Sequence, residues 1–331
     1  MKVAVLSPSA PSPAIFPAVH EVALERMRGL GLEPVEFPTT RAERATPEER
    51  ARDIEAAFLD PTIEAVFATI GGDDQLKVLP HLNLDLLRGC KKPFFGHSDN
   101  SNLHILLHSL GTPSYYGAST MVQFGRASGM HPTTRASIAA ALAGAELELT
   151  EPAEYCDEEL DWRNYDPNAQ PQLQPAEPWS WHGREERVAG PGWGGNLEIL
   201  DFQLRAGRWL KPNEAFAGHV LFLETSEELP DATYVYRVLM GIGERGLLQE
   251  FAAVLWARPK AWNFAQHNGP EEKQAYIGAQ REAVLAALDE YHPGVPLVFG
   301  VDFGHTDPQY CLPYGGRIEL DSTNRRITVA Y

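Results

Sequence analysis

Short apolar runs alternate with stretches of helical spacing along the first half of the chain. Lys2 to Leu6 predicts a buried strand, and Val19, Ala23, Met27 and Leu30, followed by Gly31, predict a helix with a glycine stop. Thr46-Pro47-Glu48-Glu49 has the spacing of a capping box with proline in the first turn, so a helix containing Ile54, Ala57 and Phe58 is expected after it. Ala65 to Ile70 and Pro93 to Phe95 predict two more strands, and Asn102 to Leu110 another helix. This alternation is that of a parallel α/β sheet, whose functional loops lie at the carboxyl ends of strands. Two loops occupy such ends: Ile70-Gly71-Gly72-Asp73-Asp74 and Phe95-Gly96-His97-Ser98-Asp99.

From about Leu149 to Pro191 the chain becomes acidic, rich in proline and tryptophan, and loses both periodicities, as a long excursion between folded parts would. Leu221–Leu223, Ala252–Trp256 and Pro296–Val301 then predict strands, with helices over Tyr234–Leu248 and Glu271–Tyr291. Three segments are therefore expected: 1–150, an N-terminal α/β domain; 151–190, the connecting excursion and substrate loop; and 191–331, a second, mixed domain.

Composition narrows the function classes. The chain has 331 residues, 44% of them hydrophobic, an ordinary globular make-up. The 28 basic against 45 acidic residues give a net charge of -17, which disfavours nucleic acid and anionic membrane surfaces as partners. Cys90, Cys156 and Cys311 form no paired motif, so neither a disulfide framework nor a zinc knuckle is suggested. The apolar run Val3–Leu6 is too short for a signal peptide, and no stretch reaches the roughly 18 apolar residues of a membrane span, so a cytoplasmic protein is expected.

Chemistry concentrates at strand ends. Ser98 follows a strand and precedes a helix, where a hydroxyl can project from a tight turn, although Asn100 stands where the G-x-S-x-G elbow has its second glycine. The same serine could simply cap the helix. A serine nucleophile needs a base and an orienting acceptor. His305, after Gly304 and a buried run, is the candidate base, and Glu224, ending Leu221-Phe222-Leu223, the candidate orienter; His305 could instead be structural or merely exposed, and Glu224 a helix-terminus acid in a solvated acidic cluster. Backbone amides of Gly72 and Asp99 could hold an oxyanion, or Gly71-Gly72 could be a plain turn. His104 and His108 have the i, i+4 spacing of metal ligands but lack a third partner, so a place in the core or on the helix surface is preferred and no metal or cofactor is expected.

These segments, with Tyr115-Tyr116-Gly117, Gly194-Gly195-Asn196-Leu197, Phe222-Leu223-Glu224-Thr225-Ser226-Glu227-Glu228, Asp302-Phe303-Gly304-His305-Thr306-Asp307-Pro308 and Leu312-Pro313-Tyr314-Gly315, resemble in order the serine peptidase family that unites LD-carboxypeptidases and microcin C self-immunity proteins. The resemblance implies a Rossmann-like or flavodoxin-like N-terminal domain, a β-rich C-terminal domain, an active site between them and a homodimer. It assigns Ser98 as nucleophile, His305 as general base and then acid, Glu224 as its orienter, and the Gly72 and Asp99 amides as oxyanion donors. The long excursion with Trp179-Ser180-Trp181 resembles the microcin C branch, which cleaves an amide joining an aminoacyl or peptidyl group to a nucleotide-like moiety. Trp179 or Trp181 could stack on adenine, or could anchor the excursion, and Asp73 is expected to contact the small-molecule substrate. The alternative substrate is a murein tetrapeptide, from which D-alanine would be released; a binding protein that has lost its chemistry is the third reading.

Overall fold

The computed structural model describes residues 1–331. Its strands are β1 (Lys2–Leu6), β2 (Glu33–Glu36), β3 (Ala65–Ala68), β4 (Phe94–Gly96), β5 (Ser114–Tyr116), β6 (Glu146–Leu149), β7 (Glu154–Tyr155) and β8 (Gln174–Pro175). They continue as β9 (Ser180–His182), β10 (Arg187–Asn196), β11 (Val220–Glu224), β12 (Ala253–Ala257), β13 (Leu297–Val301), β14 (Leu312–Tyr314), β15 (Arg317–Asp321) and β16 (Arg326–Ala330).

The first sheet has the order β14-β5-β4-β3-β1-β2. Its five N-terminal strands are parallel and follow the flavodoxin-like order, with the topological switch between β1 and β3. Such strands are covered on both faces, which explains the uninterrupted apolar runs of β1 and β3. One face takes Ile54, Ala57 and Phe58 of the helix Pro47–Leu59 and Leu103, Leu106 and Leu107 of the helix Ser101–Leu110. The other takes Ala23, Leu24 and Met27 of the helix Pro17–Gly29 and Ile138 and Ala141 of Pro132–Ala143. The capping box at Thr46 forms with both reciprocal bonds, Glu49 N–H to Thr46 Oγ1 at 3.2 Å and Thr46 N–H to Glu49 Oε2 at 2.8 Å.

The second sheet has the order β6-β16-β15-β10-β11-β12-β13-β9. β10 to β13 run parallel, whereas β15, β16, β6 and β9 join antiparallel, so the second half is mixed, with a parallel core that brings the carboxyl ends of β11 and β13 to one rim. β10 changes partners along its length: Arg187–Pro191 pair with β15 and Gly192–Asn196 with β11. Helices Ala232–Glu244 and Pro270–Tyr291 add Val235, Leu239, Ile242, Val284 and Leu288 to the large core.

The two sheets exchange strands. β14, from the end of the chain, pairs antiparallel with β5 of the first sheet, while β6, from the first half, pairs with β16 of the second. Cys311 lies in the core beside the first sheet, and Tyr331 Oη donates to Cys311 O at 2.8 Å. A fragment of residues 1–150 would expose the β5 edge and leave β6 without a partner, both unfavourable for an isolated sheet. Expressed alone, that fragment is expected to melt without a cooperative transition by circular dichroism, whereas the full chain melts cooperatively.

Candidate active site

Ser98 stands at the carboxyl end of β4, followed by a single 3-10 turn, Ser98–Asn100, and the helix Ser101–Leu110. Its φ of 62° is left-handed, a conformation that for a non-glycine residue must be held in place by its surroundings. The holding contacts are specific. Asn100 Nδ2 donates to Ile70 O and to His97 O, each at 3.0 Å, and Asn100 Oδ1 accepts from Gln75 Nε2 at 2.8 Å. The residue in place of the second elbow glycine is therefore a buried tie between the loops that follow β3 and β4. The buried Asp99 carboxylate accepts from Ser9 Oγ, from Gln75 N–H at 2.9 Å and from Asn102 Nδ2 at 2.8 Å. Gly71 lies against the serine: a β-carbon there would fall 2.7 Å from Ser98 Cβ and 3.3 Å from the Asp99 amide nitrogen.

Glu224, at the end of β11, is buried and fully engaged. One oxygen accepts from Tyr116 Oη at 2.5 Å and Asn196 Nδ2 at 3.1 Å, and the other meets His305 Nδ1 at 2.6 Å. Tyr116 Oη in turn accepts the Ser98 N–H at 2.9 Å, so one phenol connects the serine turn to the glutamate. The approach of His305 requires Gly304: its φ is +85°, and a β-carbon would lie 2.7 Å from Glu224 Cγ. Ser98, at the end of β4, is thus linked through Tyr116 to Glu224, at the end of β11, and Glu224 to His305 in the loop after β13.

The outer nitrogen of His305 is occupied differently. Its Nε2 faces Glu227 Oε2 at 3.1 Å, and no hydrogen bond joins it to Ser98 Oγ. Burial works to lower the pKa of this imidazole, but the charges of Glu224 and Glu227 outweigh it and raise it to about 9. The neighbouring His97 ring, 5.3 Å away between centroids, is driven the other way, to about 3, by burial and then by the charge of His305. Its Nδ1 lies 2.8 Å from Ser119 Oγ.

The remaining sequence candidates lie further out. Gly72 packs against Ser9 and Ala10, and the exposed Asp73 lines a cavity of about 580 Å³ together with Ser7, Ser9, Thr39, Arg44 and Arg50. Trp179 is buried in the second core, its Nε1 donating to Asp302 Oδ2 at 2.8 Å, and Asp302 also pairs with Arg258 at 3.0 Å. Trp181 is half-buried in β9, opposite Val298. Lys273 and Lys260 hold the excursion through Asp157 and Glu159. His104 and His108 are core residues; His104 Nε2 bonds Gly96 O at 2.8 Å and its ring stacks on Tyr314. No three His, Cys, Asp or Glu side chains converge as metal ligands.

Tyr116, Asn196 and Glu227 were visible only as members of motifs, with no role apparent from their spacing. Their roles in the site come from partners far away in the chain.

Comparison with known proteins agrees with this architecture. Residues 3–117 match the LD-carboxypeptidase N-terminal domain and residues 189–320 the LD-carboxypeptidase C-terminal domain, so the chain belongs to this family, the S66 serine peptidases. It is 24% identical over 288 residues to the Microcin C7 self-immunity protein MccF of Escherichia coli, covering 86% of this chain and 78% of that one. It is also 24% identical over 288 residues to a Bacillus subtilis protein named Probable murein peptide carboxypeptidase, covering 85% and 76%. The crystal structure of an MccF-like protein from Streptococcus pneumoniae in complex with AMP shares the fold, with a TM-score of 0.86 at 22% identity, over 100% of this chain and 98% of that one.

Two measurements test these packing arguments. Gly304→Ala combines a left-handed φ with a clash against Glu224 and should lower the urea midpoint by the equivalent of at least about 1–3 kcal/mol. Acid sensitivity tests the histidines. His97, His104 and His108 are each held to about 3, chiefly by burial, so the unfolded chain binds their protons more readily and stability falls as the pH drops below the unfolded value. Glu198, raised to about 7 by burial and the charge of Glu224, acts in the opposite sense. Burial also lowers His20 and His219 and raises Asp99 and Asp302, but the histidines titrate nearer this range, so stability should fall by on the order of 2 kcal/mol between roughly pH 6 and pH 5 in denaturant titrations.

Proposed function

We propose that the chain hydrolyses an amide bond in aminoacyl or peptidyl nucleotide conjugates through Ser98, His305 and Glu224. The observation that carries the reading is the Glu224 carboxylate, which binds His305 Nδ1 while Tyr116 links it to the serine turn. Ser98 Oγ attacks the carbonyl carbon and passes its proton to His305 Nε2. The oxyanion that forms is held by the amides of Gly72 and Asp99. Collapse breaks the C–N bond as His305 returns the proton to the leaving nitrogen, and water, with His305 again as base, releases the acid from Ser98.

Glu224 fixes the tautomer and stabilises the imidazolium; Tyr116 and Asn196 fix Glu224. Likeness in fold to MccF in complex with aspartyl sulfamoyl adenosine and to an MccF-like protein in complex with AMP supports a nucleotide conjugate as substrate. Asp73, beside the cavity, is kept as a substrate contact, whereas the indole of Trp179, committed to Asp302, and the β9 position of Trp181 favour anchoring of the excursion. Similarity to a protein named as a murein peptide carboxypeptidase supports the second substrate, an L,D-tetrapeptide losing D-alanine.

Purified protein should cleave an aminoacyl sulfamoyl adenosine, followed by liquid chromatography, and Ser98→Ala should lower kcat at least about a thousandfold. Release of D-alanine from a murein tetrapeptide, with the adenosine conjugate left intact, would move the assignment to the second substrate. Turnover undiminished in Ser98→Ala would remove Ser98 as nucleophile.

A further inference from the structure

The carboxylate on the outer nitrogen of His305 has no part in the reaction as written. Glu227 Oε2 sits 3.1 Å from Nε2, the atom that must accept the serine proton. The turn that carries Glu227 is built rather than loose. Ser226 N–H and Oγ donate to the buried Glu198 at 2.9 and 2.7 Å, and Asn263 Nδ2 donates to Glu227 O at 2.7 Å. The Glu227 side chain itself remains 48% exposed, whereas that of His305 is 8% exposed. The backbone is therefore fixed while the carboxylate is free to swing towards solvent.

We infer that Glu227 is a positioning residue that holds His305 as an imidazolium in the resting enzyme, and that engagement of Ser98 requires this carboxylate to leave Nε2. The inference rests on the reading of His305 as the base for Ser98. An imidazole with carboxylates on both nitrogens donates at both, so it keeps its proton and accepts none. When Glu227 swings out, the Nε2 proton passes to water, the Nδ1–Glu224 bond remains, and the vacated lone pair can receive the Ser98 proton.

The other charges around the ring do not substitute for Glu227. Glu224, at the end of β11, is bound to Nδ1 and stays there; His97, after β4, is neutral and bonded to Ser119. Lys260, after β12, lowers the proton affinity of His305 and is itself paired with Glu159. Glu228 feels the charges of Glu227, Asp73 and His305, but neither Glu228 nor Asp73 forms an ion pair with the ring. Glu227 is the one charge both in contact with Nε2 and free to move.

The test uses the full chain with ring-labelled histidine, the His305 resonance being identified by its loss in His305→Gln. In the unsubstituted protein its NMR titration midpoint should lie well above that of an ordinary histidine; Glu227→Gln should lower it by about one unit or more, and Glu227→Asp should largely restore it. In parallel, the rate of Ser98 labelling by a fluorophosphonate should rise about tenfold at neutral pH in Glu227→Gln, with the pH profile displaced to lower pH. An unchanged His305 midpoint in Glu227→Gln overturns the inference. Absence of labelling at every pH, with the midpoint displaced as expected, instead counts against Ser98 as nucleophile and leaves the Glu227–His305 coupling standing.

Discussion

One buried carboxylate organises the region where the two sheets meet. Burying the Glu224 charge costs several kcal/mol unless its oxygens find donors, and they find three: Tyr116 from the first sheet, Asn196 from the end of β10, and His305 from the loop after β13. Each donor is fixed in turn. Asn196 caps the helix Leu197–Ala206 through Ile199 N–H and takes its own N–H to Ser101 Oγ, which belongs to the helix that follows the serine. The relative placement of the sheets and the geometry of the site are therefore consequences of the same bonds.

Much of this was legible in sequence where the signal is local. The strands β1, β3, β4, β11, β12 and β13 announce themselves as short apolar runs, and the capping box at Thr46 is a matter of four consecutive residues. The strands that were not anticipated lack such runs. β10 contains Gly190, Gly192, Gly194 and Gly195, a composition that reads as loop, yet it passes so close to other backbone that side chains could not fit: a β-carbon on Gly194 would lie 1.8 Å from Phe222 O. β5 and β14 are three residues each, too short for any periodicity to show.

The site divides in the same way. The positions of Ser98, Glu224 and His305 follow from strand ends, but what surrounds them depends on contacts across the chain, such as Tyr116 to Glu224, 108 residues apart. Asn100 looked like a departure from a nucleophile elbow because the pattern is defined by a glycine; here the amide side chain does structural work that glycine could not, tying the serine turn to Ile70. Glu227 belongs to an acidic run whose sequence reads as solvated surface. Only the fixed turn after β11 reveals that one member of that run faces the imidazole.

The pairing of β14 with β5 also bears on how the molecule is made. The segment that closes the first sheet, Leu312–Tyr314, is made long after Ser114–Tyr116, so during synthesis β5 presents an open edge until β14 has emerged. Contacts of such long sequence separation slow folding because the loop must close before they contribute. The nascent chain thus spends longest with its first sheet unfinished, and its exposure to aggregation is set by when β14 arrives.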